Sequence, residues 1–344
     1  MTTITFNPKQ VNKRLLSVLQ DRARDVLVSR FGLGTDTERK TLEAIGEKYG
    51  ITRERVRQIE NYAIASIKKS TVYGKEEVVM KELRDVVVSL GGVVCEEDLL
   101  KYISTNESVQ NHINFLLVLG DFFRREKENE NFRHRWIVDE EVSKSVHESL
   151  QKLYENLSDK DLIPEGDMVA SFLGYLKDIS DQYKNEEVIK RWLSLSKTIK
   201  RNPLGEWGVT DSPNVSARGI RDYAFLVIRK HGSPMHFTEV AKAILGVFGK
   251  KAHTATCHNE LIKDDRFVLV GRGLYALTEW GYEKGVVRDV IKKILKKEGA
   301  LTKDEIIEKV LKERHVKENT ILVNLQNPKF FKRDTKGRYA AAIA

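Results

Sequence analysis

The chain has 344 residues, with 59 lysines and arginines against 50 aspartates and glutamates, a net charge of +9, 41% hydrophobic and 32% charged residues. At roughly 100–200 residues per domain this length gives two or three domains, or more if they are small, and the composition is that of a soluble globular chain rather than a disordered one. No stretch approaches the about 20 apolar residues of a membrane span, and Met1 to Gln10 lacks the apolar core of a signal peptide, so the expectation is a cytoplasmic protein without a membrane partner.

Cys95 and Cys257 stand far apart and outside any CxxC pair. That excludes a disulfide framework or zinc ribbon and reads both as buried small apolar residues. There is no P-loop, GxSxG elbow, HExxH helix or dinucleotide fingerprint, so the expectation is a non-enzyme without cofactor or metal. A basic balance that still keeps many acids suits a protein that meets nucleic acid on a few faces and proteins on others.

In chain order, residues 41–68 come first. Gly46 suits the close crossing of two helices, and Gly50 suits the turn between them, where positive φ costs little only for glycine. Ile45, Tyr49, Ile51, Val56 and Ile59 are spaced to fill the wedge, and Thr41 and Thr52 are natural N-caps. On a wheel of 100° per residue Val56, Ile59, Ala63 and Ile67 share one sector. Arg53, Glu54, Arg57, Gln58 and Asn61 lie opposite, at the helix end that enters a major groove, where Arg reads guanine, Gln reads adenine and Glu accepts from cytosine. The competing reading of these residues is a solvated helix face.

Further along, an order of helices followed by two short strands recurs four times. The strand pairs are Phe122–Arg125 with Trp136–Val138, Thr198–Arg201 with Trp207–Val209, Phe267–Val270 with Tyr275–Leu277, and Phe330–Arg333 with Tyr339–Ala341. Turn formers separate the halves of each pair, which reads as a hairpin. Each follows a helix with an apolar stripe, such as Ile113, Leu116 and Leu117, or Ile321, Leu322 and Leu325. This is the order of a winged helix. The fold class is therefore mainly α: an N-terminal helix-turn-helix domain followed by a tandem array of winged helices, each α plus a small β-hairpin. The expected domains are 1–72, 73–140, 141–213, 214–282 and 283–344. The third of these fits least well, because Leu162-Ile163-Pro164 makes a longer connection than the pattern wants.

Residues 15–68 resemble region 4 of primary bacterial sigma factors, most closely along Ile51-Thr52-Arg53-Glu54-Arg55-Val56-Arg57-Gln58-Ile59-Glu60. That resemblance implies a helix that reads the upstream promoter element and a domain that docks on the flap of the RNA polymerase β subunit. By position, Arg53, Glu54 and Gln58 would meet base edges, Arg57 would lie at the groove, and Thr52 and Arg55 would hold phosphates. The aromatic-bearing region with which a sigma factor melts the downstream element is not found, so the expectation is a protein that does not open promoters alone. Residues 217–280 resemble the HARE-HTH winged helix of the δ subunit of some bacterial RNA polymerases, on His231-Gly232-Ser233-Pro234-Met235-His236-Phe237-Thr238-Glu239-Val240 and Asp265 to Leu277.

In that unit the groove helix is expected near Lys250 to Glu260, with Lys250 and Lys251 as secondary DNA contacts. His253, Cys257 and His258 lack the further ligand that a metal needs. Arg272 in the third hairpin, and Lys332, Arg333, Lys336 and Arg338 in the fourth, complete the candidate phosphate contacts. The expected function is a sequence-specific DNA-binding transcription regulator associated with the nucleoid, its partner promoter-like double-stranded DNA. The alternatives are an RNA polymerase accessory protein docked on the β flap, and an architectural nucleoid protein.

Overall fold

A computed structural model describes residues 4–176, 179–282, 285–314 and 316–342. It is mainly α, and the chain divides into two compact units, residues 1–200 with 207–210, and residues 201–206 with 211–344.

The first unit begins with α1 (Pro8–Leu16), α2 (Asp21–Phe31), α3 (Leu42–Tyr49), α4 (Arg53–Lys68) and the short α5 (Thr71–Lys75). Asn7 starts α1 by accepting the amides of Lys9 and Gln10 on Oδ1, and Gly32, at φ 62°, closes α2. Then come α6 (Glu77–Ser89), β1 (Val93–Cys95), α7 (Glu96–Ile103), α8 (Glu107–Leu119), β2 (Arg124–Glu126) and β3 (Arg135–Ile137). Their sheet has the order β1-β3-β2, antiparallel throughout, with Trp136 opposite both Val94 and Arg125. The next group is α9 (Glu140–Glu155), α10 (Glu165–Tyr175), α11 (Glu186–Leu195), β4 (Ile199–Arg201) and β5 (Trp207–Val209). Here Ile163 bridges Trp207, each amide donating to the other's carbonyl at 2.8 and 2.7 Å. The Leu162-Ile163-Pro164 segment is thus not a misfit connection. It is the group's first strand, shortened to one residue pair.

The second unit holds α12 (Ile220–His231), β6 (Met235–His236), α13 (Phe237–Phe248), α14 (Thr254–Lys263), β7 (Phe267–Gly271) and β8 (Leu274–Leu277), with sheet order β6-β8-β7. It ends with α15 (Val287–Glu298), α16 (Lys303–Glu313), α17 (Glu318–Leu325), β9 (Phe331–Arg333) and β10 (Tyr339–Ala341), where Leu301 bridges Tyr339. The buried Arg314 ties the two groups of this unit together, donating to the carbonyls of Leu269 and Gly285. Each of the four groups runs helix, strand or single bridge, helix, helix, strand, strand, the order expected for a winged helix.

The cores do not follow the expected domain borders. One cluster joins Val11, Leu15 and Leu27 of the N-terminal helices to Leu83, Leu99, Phe115 and Trp136 of the first group. A second joins Val93 and Ile137 of that group's sheet to Val146, Phe172 and Trp192 of the next. Groups of 60–70 residues bury little apolar area alone, and sharing a core remedies this.

Asn12, fully buried, locks α1 to α8: its Nδ2 donates to the ring Nδ1 and to the carbonyl of His112, both at 2.9 Å. The ring must be neutral to accept there, and burial first, then the charge of Lys9, pushes the His112 pKa down to about 4. His147 is pushed the same way, to about 4, by burial and by Arg135. The unfolded chain takes up these protons near pH 6.5 and the folded chain only near pH 4. Stability is therefore full above about pH 6.5 and declines as pH falls towards about 4. Thermal melts in steps from about pH 7.5 to 4.5 should record this decline, and His112→Gln should lower Tm at the upper end while flattening the slope.

Candidate nucleic-acid interface

Helices α3 and α4 cross at Gly46, where a Cβ would lie 2.6 Å from the carbonyl oxygen of Ile51. Gly50 ends α3 in the left-handed region at φ 62°, and Thr41 and Thr52 cap the two helices by accepting the amides of Ala44 and Arg55. Val56 and Ile45 are buried with Val26 of α2, and Leu42, Tyr49, Ile51 and Ile59 close the wedge around them. Ala63 and Ile67, further along the same face of α4, enter the larger core. The sequence missed Val26, because a wedge formula covers two helices and this residue comes from a third.

The opposite face of α4 is open. Thr52, Arg53, Glu54, Arg55, Arg57, Gln58 and Asn61 are all exposed, so the structure brings together the residues that the wheel grouped. They are not idle. Arg57 holds Glu54 through two bonds, Nε to Oε2 at 2.9 Å and Nη2 to Oε1 at 2.8 Å, and Arg55 Nη1 donates to Gln58 Oε1 at 3.0 Å. Arg53 lies 3.4 Å from Glu43 of α3. The hydrogen bond from Arg57 keeps the Glu54 carboxyl below its ordinary pKa. Such exposed pairs are screened by water and contribute little, so a ligand can open them readily. Thr52 spends a lone pair on its cap and keeps its O–H free to donate.

Sequence reasoning also missed Tyr62, 72% exposed on α4, and the support behind the face. Arg30 of α2 approaches the half-buried Glu60 at 3.6 Å, and Asp25 accepts from Lys48 at 2.6 Å and from the Tyr49 hydroxyl.

Elsewhere the candidates scatter. Lys250 and Lys251 are exposed but precede the groove helix: α13 closes at Gly249 and α14 begins at Thr254. His253 is exposed at the start of α14, while Cys257 faces the core, its thiol pushed up to about 11 by burial. His258 stacks on Phe237 with ring centroids 4.4 Å apart. Cys95 is buried as well. Arg272 is exposed in the turn between β7 and β8, beside Gly273. In the last hairpin Lys332 and Lys336 are exposed, Arg338 pairs with Asp334 at 3.1 Å, and Arg333 lies 5.7 Å from the Tyr339 ring centroid.

The helices at the groove position of the first two groups are consumed by packing. Asn111 through Leu117 of α8 are buried without a break, and Val188, Ile189, Trp192, Leu193 and Leu195 of α11 are buried as a stripe.

The geometry of residues 41–68 defines a helix-turn-helix with an exposed polar face on its second helix. Residues 15–69 match the family described as Sigma-70, region 4. The chain is 41% identical over 73 residues to the RNA polymerase sigma factor RpoS of Coxiella burnetii, covering 21% of this chain and 20% of that protein. It is 46% identical over 61 residues to the sigma factor RpoD of Helicobacter pylori, covering 18% and 9%. To the sigma factor SigA1 of Synechococcus elongatus it is 50% identical over 54 residues, covering 16% and 13%. The chain thus spans a fifth or less of these relatives, and its N-terminal part is a sigma region 4-like domain. No helix among the described residues is long and apolar enough to cross a membrane.

The crossing sets the pose of α4, so its substitutions should register in stability. Gly46→Ala pushes a methyl group against backbone and should cost about 1–3 kcal/mol, whereas Thr52→Ala loses only a cap, about 1 kcal/mol. Urea unfolding of both variants checks the ranking.

Proposed function

We propose that the protein is a transcription regulator that binds double-stranded DNA by seating the N-terminal turns of α4 in a major groove. Arg53, Glu54 and Gln58 would meet base edges, Arg57 and Asn61 would line the groove, and Thr52 and Arg55 would hold phosphates. The observation that carries this reading is the division of surface around the helix-turn-helix. The apolar residues of α1 and α2 are buried in a core with α8, while the polar face of α4 is open along its first two turns. A protein partner docking on apolar surface would find α1 and α2 already occupied, and a duplex would find α4 free.

The same proposal takes the four repeated groups as winged helices, the third of them HARE-HTH-like, with Arg272, Lys250 and Lys251 as flanking phosphate contacts. The role needs no catalysis and no cofactor, and it places the protein with the nucleoid in the cytoplasm. RNA polymerase is the proposed protein partner, because the relatives of residues 15–69 are named as its sigma factors. Tyr62 and Val78, 72% and 73% exposed, are apolar surface that such a partner would meet.

Selection of a preferred duplex from a random pool, followed by titration, tests the reading. Arg53→Ala and Gln58→Ala should each cost about 1–3 kcal/mol on the selected duplex and far less on random duplex. Equal losses on both would overturn direct reading by α4.

A further inference from the structure

Residues 283–344 hold 16 lysines and arginines against nine acids, so they carry +7 of the net charge of +9, and the 282 residues before them are close to neutral. The excess is not dispersed in ion pairs. Lys81, Lys101, Lys184 and Lys197, in the first unit, each lie within 2.9 Å of an acid. On α15 and the last hairpin basic residues outnumber acids nine to three. Their three acids are each engaged, Asp289 by Arg288, Glu298 by Lys309 and Asp334 by Arg338. Lys296, Lys297, Lys332 and Lys336 are exposed and face no acid among the described residues.

The two elements form one surface. Phe330, at the start of the hairpin, lies under Arg288 and Lys292 of α15 at 4.4 and 4.5 Å from its ring centroid. Phe331 and Tyr339 pack against the buried side of the same helix. The helix at the groove position, α17, has no lysine or arginine, and its exposed residues Glu318, Asn319, Thr320 and Val323 add no positive charge to this surface.

We propose that α15 and the β9–β10 hairpin bind the phosphate backbone of double-stranded DNA without reading its sequence. Cations without partners on a folded surface attract a polyanion and release its counterions, and contacts made to phosphates carry no sequence information. This goes beyond reading by α4 and would hold even if α4 read nothing. It gives the chain a general DNA anchor separate from its reading head.

The test uses the full chain with Lys296, Lys297, Lys332 and Lys336 all changed to Gln. A control carries Lys81, Lys101, Lys184 and Lys197 changed to Gln. Binding to a random 30-base-pair duplex is measured across a salt series. The first variant should lose affinity about tenfold or more, and its slope of log K against log salt should shrink by about 3–4, at about 0.9 per phosphate contact. The control should match the unaltered chain, and the preference for a selected duplex over a random one should survive in both. Unchanged affinity and slope in the first variant would overturn the proposal. So would intact duplex binding coupled with lost binding to phosphatidylserine vesicles or to single-stranded RNA, which would name a different polyanion. Failure of the α4 reading looks different: the unaltered chain would then show no preferred duplex, while the four substitutions would still weaken random binding.

Discussion

The pose of the helix-turn-helix rests on one buried carboxamide. Asn111 of α8, 2% exposed, donates from Nδ2 to the carbonyls of Gly32 and Thr37 at 3.1 and 2.8 Å, and its Oδ1 accepts from Arg39 Nε at 2.7 Å. These bonds fix the loop that leaves α2 and delivers the chain to α3. Gly32 is required there, since a Cβ would lie 2.3 Å from the Thr37 oxygen. Partial burial of its guanidinium holds the pKa of Arg39 below its ordinary value. A buried amide deprived of such partners costs about 1–3 kcal/mol per group, as much as a typical core substitution.

What the sequence made legible is local. Gly46, Gly50, Thr41 and Thr52 each stand where backbone geometry demands them, and the four strand pairs lie within a residue or two of the expected positions. What it hid is long-range. The stripe of α8 shows that a face is apolar, but periodicity cannot say that helices from the N-terminal region cover it. Ile163 and Leu301 each form a strand of one residue, too short to show alternation. The start of α14 was misplaced for a related reason: His253, at its cap position, makes no side-chain capping bond, so no signal marks where the helix begins. The polar face of α4 was legible because it needs only one helix. Its pairing of Arg57 with Glu54 was legible only as spacing.

On the proposed roles, the charge pattern separates two tasks that many DNA-binding domains combine. The polar face of α4 partly neutralises itself, with Glu54 between Arg53 and Arg57, which on the proposed role would favour discrimination over adhesion. Lys296, Lys297, Lys332 and Lys336, which face no acid among the described residues, gather instead at the far end of the chain. Neither arrangement follows from total charge, and a net +9 spread evenly would have implied neither.

The shared cores of the first unit have a geometric consequence. Because α4 is built into the same packed body as α8, and that body continues through β1 and β3 into α9 and α11, it has no hinge of its own. A duplex seated on α4 would be held at a fixed angle to the α9–α11 end. Since a duplex turns once in about 10–10.5 base pairs, that end would face the same side of the double helix at every bound site, and the unit would act as a protractor for whatever it carries.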